Sequence, residues 1–249
     1  MQLDGKRVVV TGATRGIGRA LTRQLVAAGA QVIGVARNAA ALETEVQAWG
    51  ERFIPVSCDL ADPAARTALI ARFTGDLAPV DGLINNAGIQ LTTDFFEAAP
   101  ERIGPDIATE LEVNLAAPMH LSGAMLRHLA ERTDGFVLNV SSALALVPKE
   151  PAPVYCASKA ALRSFTTALR YQAESHGNRV RLVEAVMPLV KTDMTAGRGR
   201  GKITPEQAAA ALLAGLRGGK DHIWVGKSAL LRVLHRLAPG LAARMLRRG

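Results

Sequence analysis

The chain has 249 residues, 49% of them hydrophobic and 21% charged, with a formal net charge of +8. Disordered chains combine low hydrophobicity with high net charge, so this composition excludes one. Cys58 and Cys156 are too few for a disulfide framework and show no metal-ligand spacing, which fits a reducing compartment and predicts no metal centre. No run reaches the ~18 consecutive apolar residues of a membrane span. The first residues lead straight into Val8-Val9-Val10 without room for a signal peptide, so a cytoplasmic setting is expected.

The charge is unevenly spread. From Val186 onward twelve Lys and Arg stand against Asp193, Glu206 and Asp221, whereas the first 185 residues hold 18 basic and 19 acidic side chains. The body is therefore nearly neutral and the C-terminal quarter basic. Aromatics make up only 4% and offer few stacking platforms, so no nucleic-acid partner is expected.

Strands and helices alternate along the chain. Arg7–Thr11 is an apolar strand, followed by a glycine-rich turn and a helical pattern through Leu21, Leu25 and Ala28 that closes at Gly29. Gln31–Ala36 is the second strand, Asn38 caps a helix to Trp49, and residues 53–56 form the third strand. Asp62-Pro63 opens another helix with its cap and first-turn proline in their usual places. Strands follow at 81–85, 136–140, 180–187 and 223–225, with helices at 110–132, 153–176 and 203–217 between them. Short apolar strands without polar alternation, separated by helices, predict a single-domain α/β fold. The expected architecture is a Rossmann-like, doubly wound parallel sheet of about seven strands with helices on both faces. Ligands are expected at the carboxyl ends of its strands.

After the first strand comes Thr11-Gly12-Ala13-Thr14-Arg15-Gly16-Ile17-Gly18. Glycines at 12, 16 and 18 allow a tight turn, and the following helix start offers free N–H groups to a pyrophosphate. The alternative is a turn that only packs helix on strand. The second strand ends in Ala36-Arg37 without the carboxylate that would hold a ribose 2′-hydroxyl. An arginine suits a 2′-phosphate, and Arg15 would reach the same group, so NADPH is expected over NADH. The alternative there is two solvated surface arginines.

Four features then arrive in order: Asn85-Asn86-Ala87-Gly88, Asn114, Ser141-Ser142 and Tyr155-Cys156-Ala157-Ser158-Lys159. With the glycine turn they resemble the classical short-chain dehydrogenases/reductases, whose signatures are TGxxxGxG, NNAG, a serine thirteen residues before a tyrosine, and YxxxK. The resemblance covers residues 5–195. Independently, Tyr155 and Lys159 at i and i+4 share one helix face. A phenol of pKa ~10 is a poor acid-base group near neutrality. A neighbouring ammonium is expected to lower it, by ~2 to 3 units for about 3 to 4 kcal/mol of differential interaction, in a partly dry site. The resemblance implies the remaining roles. Ser142 would polarise the substrate carbonyl, Tyr155 would protonate it, and Lys159 would also hold the nicotinamide ribose. Asn114 would anchor a proton-relay water, Asp59-Leu60 would meet the adenine, and Asn86, Ala87 and Gly88 would line the adenosine ribose. Cys156 reads as a small helix residue facing the core.

The pattern also departs from that family. Val190 and Thr192 fit its carboxamide-binding x-V-x-T, but Met187-Pro188 stands where Pro-Gly is usual, and proline fixes φ and removes an N–H. Residues 193–203 form a short lid with the flexible stretch Ala196-Gly-Arg-Gly-Arg-Gly-Lys202. The run 143–147 with Leu144, together with Leu189, predicts an apolar substrate pocket, and Arg198, Arg200 and Lys202 place positive charge at its rim. Residues 1–226 then form the catalytic domain. Residues 227–249 form a basic amphipathic extension of two short helices broken at Pro239-Gly240. That extension suits peripheral contact with an anionic membrane; alternatively it covers the pocket or a partner subunit. Val183-Glu184, the non-glycine turn and this tail resemble the branch near the oxidoreductase of lipoteichoic-acid D-alanylation operons. The expected function is NADPH-dependent reduction of a ketone or aldehyde, reversibly oxidation of a secondary alcohol. The substrate would be apolar and carried on acyl carrier protein or CoA, in a homodimer or homotetramer. The alternative is a non-catalytic nucleotide-sensing or scaffold protein.

Overall fold

A computed structural model describes residues 1–177 and 179–247. Seven parallel strands form one sheet in the order β3-β2-β1-β4-β5-β6-β7. They are β1 Arg7–Thr11, β2 Gln31–Ala36, β3 Phe53–Ser57, β4 Gly82–Asn85, β5 Phe136–Ser142, β6 Arg181–Met187 and β7 His222–Trp224. Strand residues alternate between two cores. Val8, Val10, Ile84 and Leu138 face one, packed with Leu21, Leu25 and Leu212. Val9, Ile33, Leu83 and Val137 face the other, packed with Phe73, Leu121 and Leu169. Both sheet faces are thus covered, as near-continuous apolar strands require. Successive strands extend outward from β1 in one direction and from β4 in the other, so the crevice between them opens at the carboxyl ends.

The helices are α1 Gly16–Ala27, α2 Ala39–Trp49, α3 Pro63–Thr74, α4 Pro100–Leu111, α5 Ala117–Ala130, α6 Pro153–Ser175, α7 Pro205–Arg217, α8 Ser228–Leu237 and α9 Pro239–Leu246. The expected caps are present: the Asn38 side chain accepts from Ala41 N and that of Asp62 from Ala64 N. One helix differs from expectation. The element placed at 110–132 begins at Pro100 and is interrupted by a π turn over Glu112–Ala116. Gly104-Pro105 masked its first turns, because a proline inside a helical pattern reads as a break. Pro239 is the first residue of α9, which ends at Leu246; Arg248 and Gly249 lie outside the described residues. No described helix is long and apolar enough to cross a membrane.

Candidate active site

A cleft of about 920 Å³ lies at the carboxyl ends of the strands. Its floor at one end is the turn after β1. Gly12 sits at φ +68°, and a Cβ there would come within 3.1 Å of Ala87 Cα. A Cβ on Gly18 would collide with the carbonyl oxygen of Gly12. These two positions need glycine, one for its left-handed φ and one for the close approach of α1 to the turn. Thr11 locks the turn to the strand-four motif: its hydroxyl accepts from Asn86 N and Ala87 N, both at 3.0 Å, and its carbonyl accepts from Asn86 Nδ2 at 2.9 Å. Asn85 is buried instead, donating to Ser122 Oγ and to Asn139 Oδ1. Thr14, Arg15, Gly16, Ile17, Arg37, Asp59, Leu60, Ala87 and Gly88 line this end, and Thr192 packs over Gly16. Arg15 and Arg37 are exposed, and no described carboxylate pairs with either. The Asp59 carboxylate keeps one oxygen on Ala61 N at 3.0 Å and leaves the other free. Free N–H groups, two unpaired guanidiniums and one carboxylate in a long crevice fit a dinucleotide bearing an extra phosphate.

At the other end Ser142, Tyr155 and Lys159 line the same cleft. Ser142 ends β5; its Oγ accepts from Leu144 N at 3.1 Å, and its side chain is hydrogen-bonded to Tyr155. Tyr155 and Lys159 lie one turn apart in α6. The Lys159 ammonium stands 5.8 Å from the phenol ring centroid and donates to Val140 O at 2.9 Å. Asn114 is buried in the π turn. Its Oδ1 accepts from Ile89 N at 2.9 Å and its Nδ2 donates to Ile89 O at 2.8 Å, closing a ring with the backbone just after Gly88. Asn114 therefore braces the 86–89 segment, at a π turn of the kind often found at functional sites.

The electrostatics correct one expectation. Burial pushes the Tyr155 phenol up to about 12; Ser142 beside it opposes the rise, and the charges of Cys156 and Glu110 add to it. Lys159 does not bring it down. Burial lowers Lys159 itself to about 8, with the Glu110 charge opposing. Desolvation disfavours both charged forms, and here it outweighs the attraction that i,i+4 spacing offers. The dry site was foreseen; its sign on the phenol was not. Glu110, buried in α4 and accepting from Leu91 N at 3.2 Å, is in turn held above the usual carboxylate range, by burial first.

The lid is not an open segment. Lys191 N donates to Ile203 O at 2.8 Å, and Ile203 N to Leu189 O at 3.2 Å, closing residues 192–202 into a loop. Inside it Thr192 and Thr195 form a capping box, Lys202 Nζ donates to Thr195 O, and Arg198 Nη1 donates to Gln90 Oε1 at 2.7 Å. Pro188, Leu189 and Val190 line the cleft despite the missing glycine. The tail folds over the same opening. Leu230, Leu231 and Leu234 of α8 and Met245 and Leu246 of α9 line it alongside Leu144. Ser228 Oγ ties α8 to Val186 O at 3.0 Å, Arg232 and Arg163 stack on Trp224, and Glu150 N donates to Arg247 O at 2.9 Å. A second apolar strip, Val233, Leu237 and Leu241, stays exposed.

Two polar lining residues, Gln90 and Lys149, were not among the sequence-predicted site residues, nor was Glu110, whose charge acts on Lys159 from outside the lining. None sits in a motif, and only Arg198, expected at the rim, pointed to this region. Among the described residues no cluster of His, Cys, Asp or Glu is fit to hold a metal.

A doubly wound sheet with this turn, this serine and this tyrosine-lysine pair in one cleft defines a dinucleotide-dependent oxidoreductase. Residues 6–202 match the short chain dehydrogenase family, and the chain belongs to it. It is 34% identical over 230 residues to the uncharacterized oxidoreductase DltE of Bacillus subtilis, covering 90% of this chain and 89% of the relative. It is 30% identical over 226 residues to the 3-oxoacyl-[acyl-carrier-protein] reductase FabG of Escherichia coli, covering 90% and 88%. A short chain dehydrogenase from Burkholderia cenocepacia, solved in complex with NADP, superposes with a TM-score of 0.86 at 29% identity, covering 99% of both chains.

Proposed function

We propose that this oxidoreductase uses NADPH to reduce a carbonyl group on an apolar substrate, and reversibly oxidises the secondary alcohol. The observation that carries the reading is that Ser142, Tyr155 and Lys159 share one cleft with the glycine turn and the unpaired Arg15 and Arg37. The Burkholderia relative's NADP supports the coenzyme choice. When bound, reduced nicotinamide supplies the hydride; Gly12–Ile17, Arg37, Asp59, Lys159, Val190 and Thr192 are the groups to hold the dinucleotide.

The chain's own residues account for the proton. A phenol near 12 stays protonated at neutral pH, so Tyr155 enters the reductive direction with its proton in place. It is still a stronger acid than the secondary alcohol it would form, so transfer to the developing alkoxide is downhill. The Ser142 hydroxyl, hydrogen-bonded to Tyr155, turns its proton to the same oxygen. Lys159, lowered to about 8, holds a proton that can return to the phenolate, while its bond to Val140 O fixes its position. Leu144, Leu189, Leu231 and Leu234 give the cleft an apolar wall that favours an apolar tail. The basic lid and the likeness to an acyl-carrier-protein reductase support an anionic handle on the substrate, whether carrier, CoA or free acid. A panel of ketones, aldehydes and alcohols run with NADPH and with NADH tests the proposal. Tight NADPH binding without oxidation by any member would overturn it in favour of a nucleotide-sensing role.

A further inference from the structure

Three donors in the cleft have no part in the proton chemistry above. Lys149 lies in the loop between β5 and α6, and its backbone N–H donates to Cys156 Sγ at 3.4 Å, which ties the loop to the residue that follows Tyr155. The residue is only 8% exposed, and it lines the cleft. Burial, and then the charge of nearby Arg198, hold its pKa below that of an ordinary lysine. The Arg198 charge also opposes the rise in the Tyr155 pKa, and both residues line the one cleft.

Gln90 completes the group. Its Oε1 is taken by Arg198 Nη1 at 2.7 Å, and this fixes the amide, because the flipped form would set two donors against each other. Nε2 is then a buried donor without a partner. Neither cation pairs with a carboxylate among the described residues. The cleft's own acids, Asp59 and Asp193, lie after β3 and in the turn that opens the lid, and the Glu110 charge acts on Lys159 and Tyr155. An ammonium, a guanidinium and an amide N–H line the same cleft; Gln90 Oε1 is the acceptor between the last two, and no described carboxylate pairs with either cation. Buried polar groups in this state mark a place for a ligand that supplies the missing charge.

We propose that Lys149, Arg198 and Gln90 bind a carboxylate of the substrate, so that the enzyme acts on oxo acids whose carboxylate lies within a few carbons of the reacting carbonyl. Arg198, whose charge acts on Tyr155 within the same cleft, sets that spacing. A phosphate at the far end of a long carrier arm does not meet it. For turnover the inference rests on the carbonyl-reductase reading, but carboxylate binding stands apart from it.

The test is calorimetric titration of the full chain with octanoate, octanamide, octyl phosphate and octanoyl-CoA. Octanoate should bind at least ten times more tightly than octanamide, and the advantage should vanish in Lys149→Met and in Arg198→Gln. The Arg198 change lies in the half-buried lid, which keeps the test valid if Lys149→Met folds poorly. Equal affinity for acid and amide, or an advantage that survives both substitutions, overturns the proposal. Tighter binding of octyl phosphate or octanoyl-CoA than of octanoate overturns the carboxylate assignment. Turnover of 4-oxooctanoate against 2-octanone with NADPH separates the two readings. An octanoate preference with no reduction of either ketone rejects the reductase and keeps the site. Equal turnover of both ketones with acid-blind binding does the reverse.

Discussion

Replacing Lys159 by methionine measures how strongly the site is desolvated. Lys159 is 4% exposed, and burial brings its pKa from 10.5 to about 8. Between these values the unfolded chain holds a proton that the native chain has released. Native stability must therefore rise with pH across this window, and the contribution is lost as pH falls through about 8. The full displacement corresponds to about 3 kcal/mol. Methionine keeps the length of the stem but does not titrate. It also forfeits the bond to Val140 O, about 1 kcal/mol at every pH. Urea unfolding of both proteins from pH 7 to pH 10.5 should show the parent gaining on the variant by about 3 kcal/mol. The Tyr155 contribution has the opposite sign: with the phenol raised to about 12, its stabilisation is present below pH 10 and lost above it, in both proteins alike. Parallel stability curves for parent and variant would refute the claim that Lys159 is desolvated in the folded chain.

Other outcomes follow from the same geometry. Tyr155→Phe should lower kcat by about 10²- to 10⁴-fold while NADPH affinity, read by fluorescence titration, changes little; near-parent turnover would remove the phenol as the acid. Arg15→Ala combined with Arg37→Ala should weaken NADPH by about 10- to 100-fold and leave NADH nearly unchanged, as expected for charge-assisted bonds of about 1.5 to 3 kcal/mol. An equal loss for both coenzymes would contradict the 2′-phosphate role. Gly18→Ala sets a methyl group against Gly12 O and should cost about 1 to 3 kcal/mol in thermal or urea unfolding; an unchanged melting temperature would mean that the turn yields. The α8–α9 tail has no acid from His222 to Arg247 and exposes Val233, Leu237 and Leu241. Vesicles rich in anionic lipid should retain the protein at low salt, and deletion of residues 227–249 should abolish this; sedimentation unaffected by the deletion removes membrane contact.

The alternation of strands and helices could be read along the chain because each strand residue points to one of two cores, and that demand leaves continuous apolar runs in the sequence. Local rules also placed the caps at Asn38 and Asp62, the i,i+4 pairing of Tyr155 with Lys159, and the serine one motif earlier. The departures from expectation share a different origin. The π turn at Asn114 is held by bonds to Ile89, which is 25 residues away in sequence, and leaves no period of its own. Gly18 is constrained by the carbonyl of Gly12 and the contacts of Asn86, not by open space for a phosphate.

Sequence alone therefore determined the motif residues and their spacing, since residue type and position along a helix or after a strand are local properties. Tertiary structure alone decided their state. The phenol rises instead of falling because desolvation depends on everything packed around it, and the Glu110 charge reaches it from α4. It also decided that the lid loop is tied at its base, that α8 and α9 line the cleft, that Arg198 bonds Gln90, and that Lys149 lines the same cleft. Charges and donors scattered over more than a hundred residues acquire a common field only when the chain closes around them.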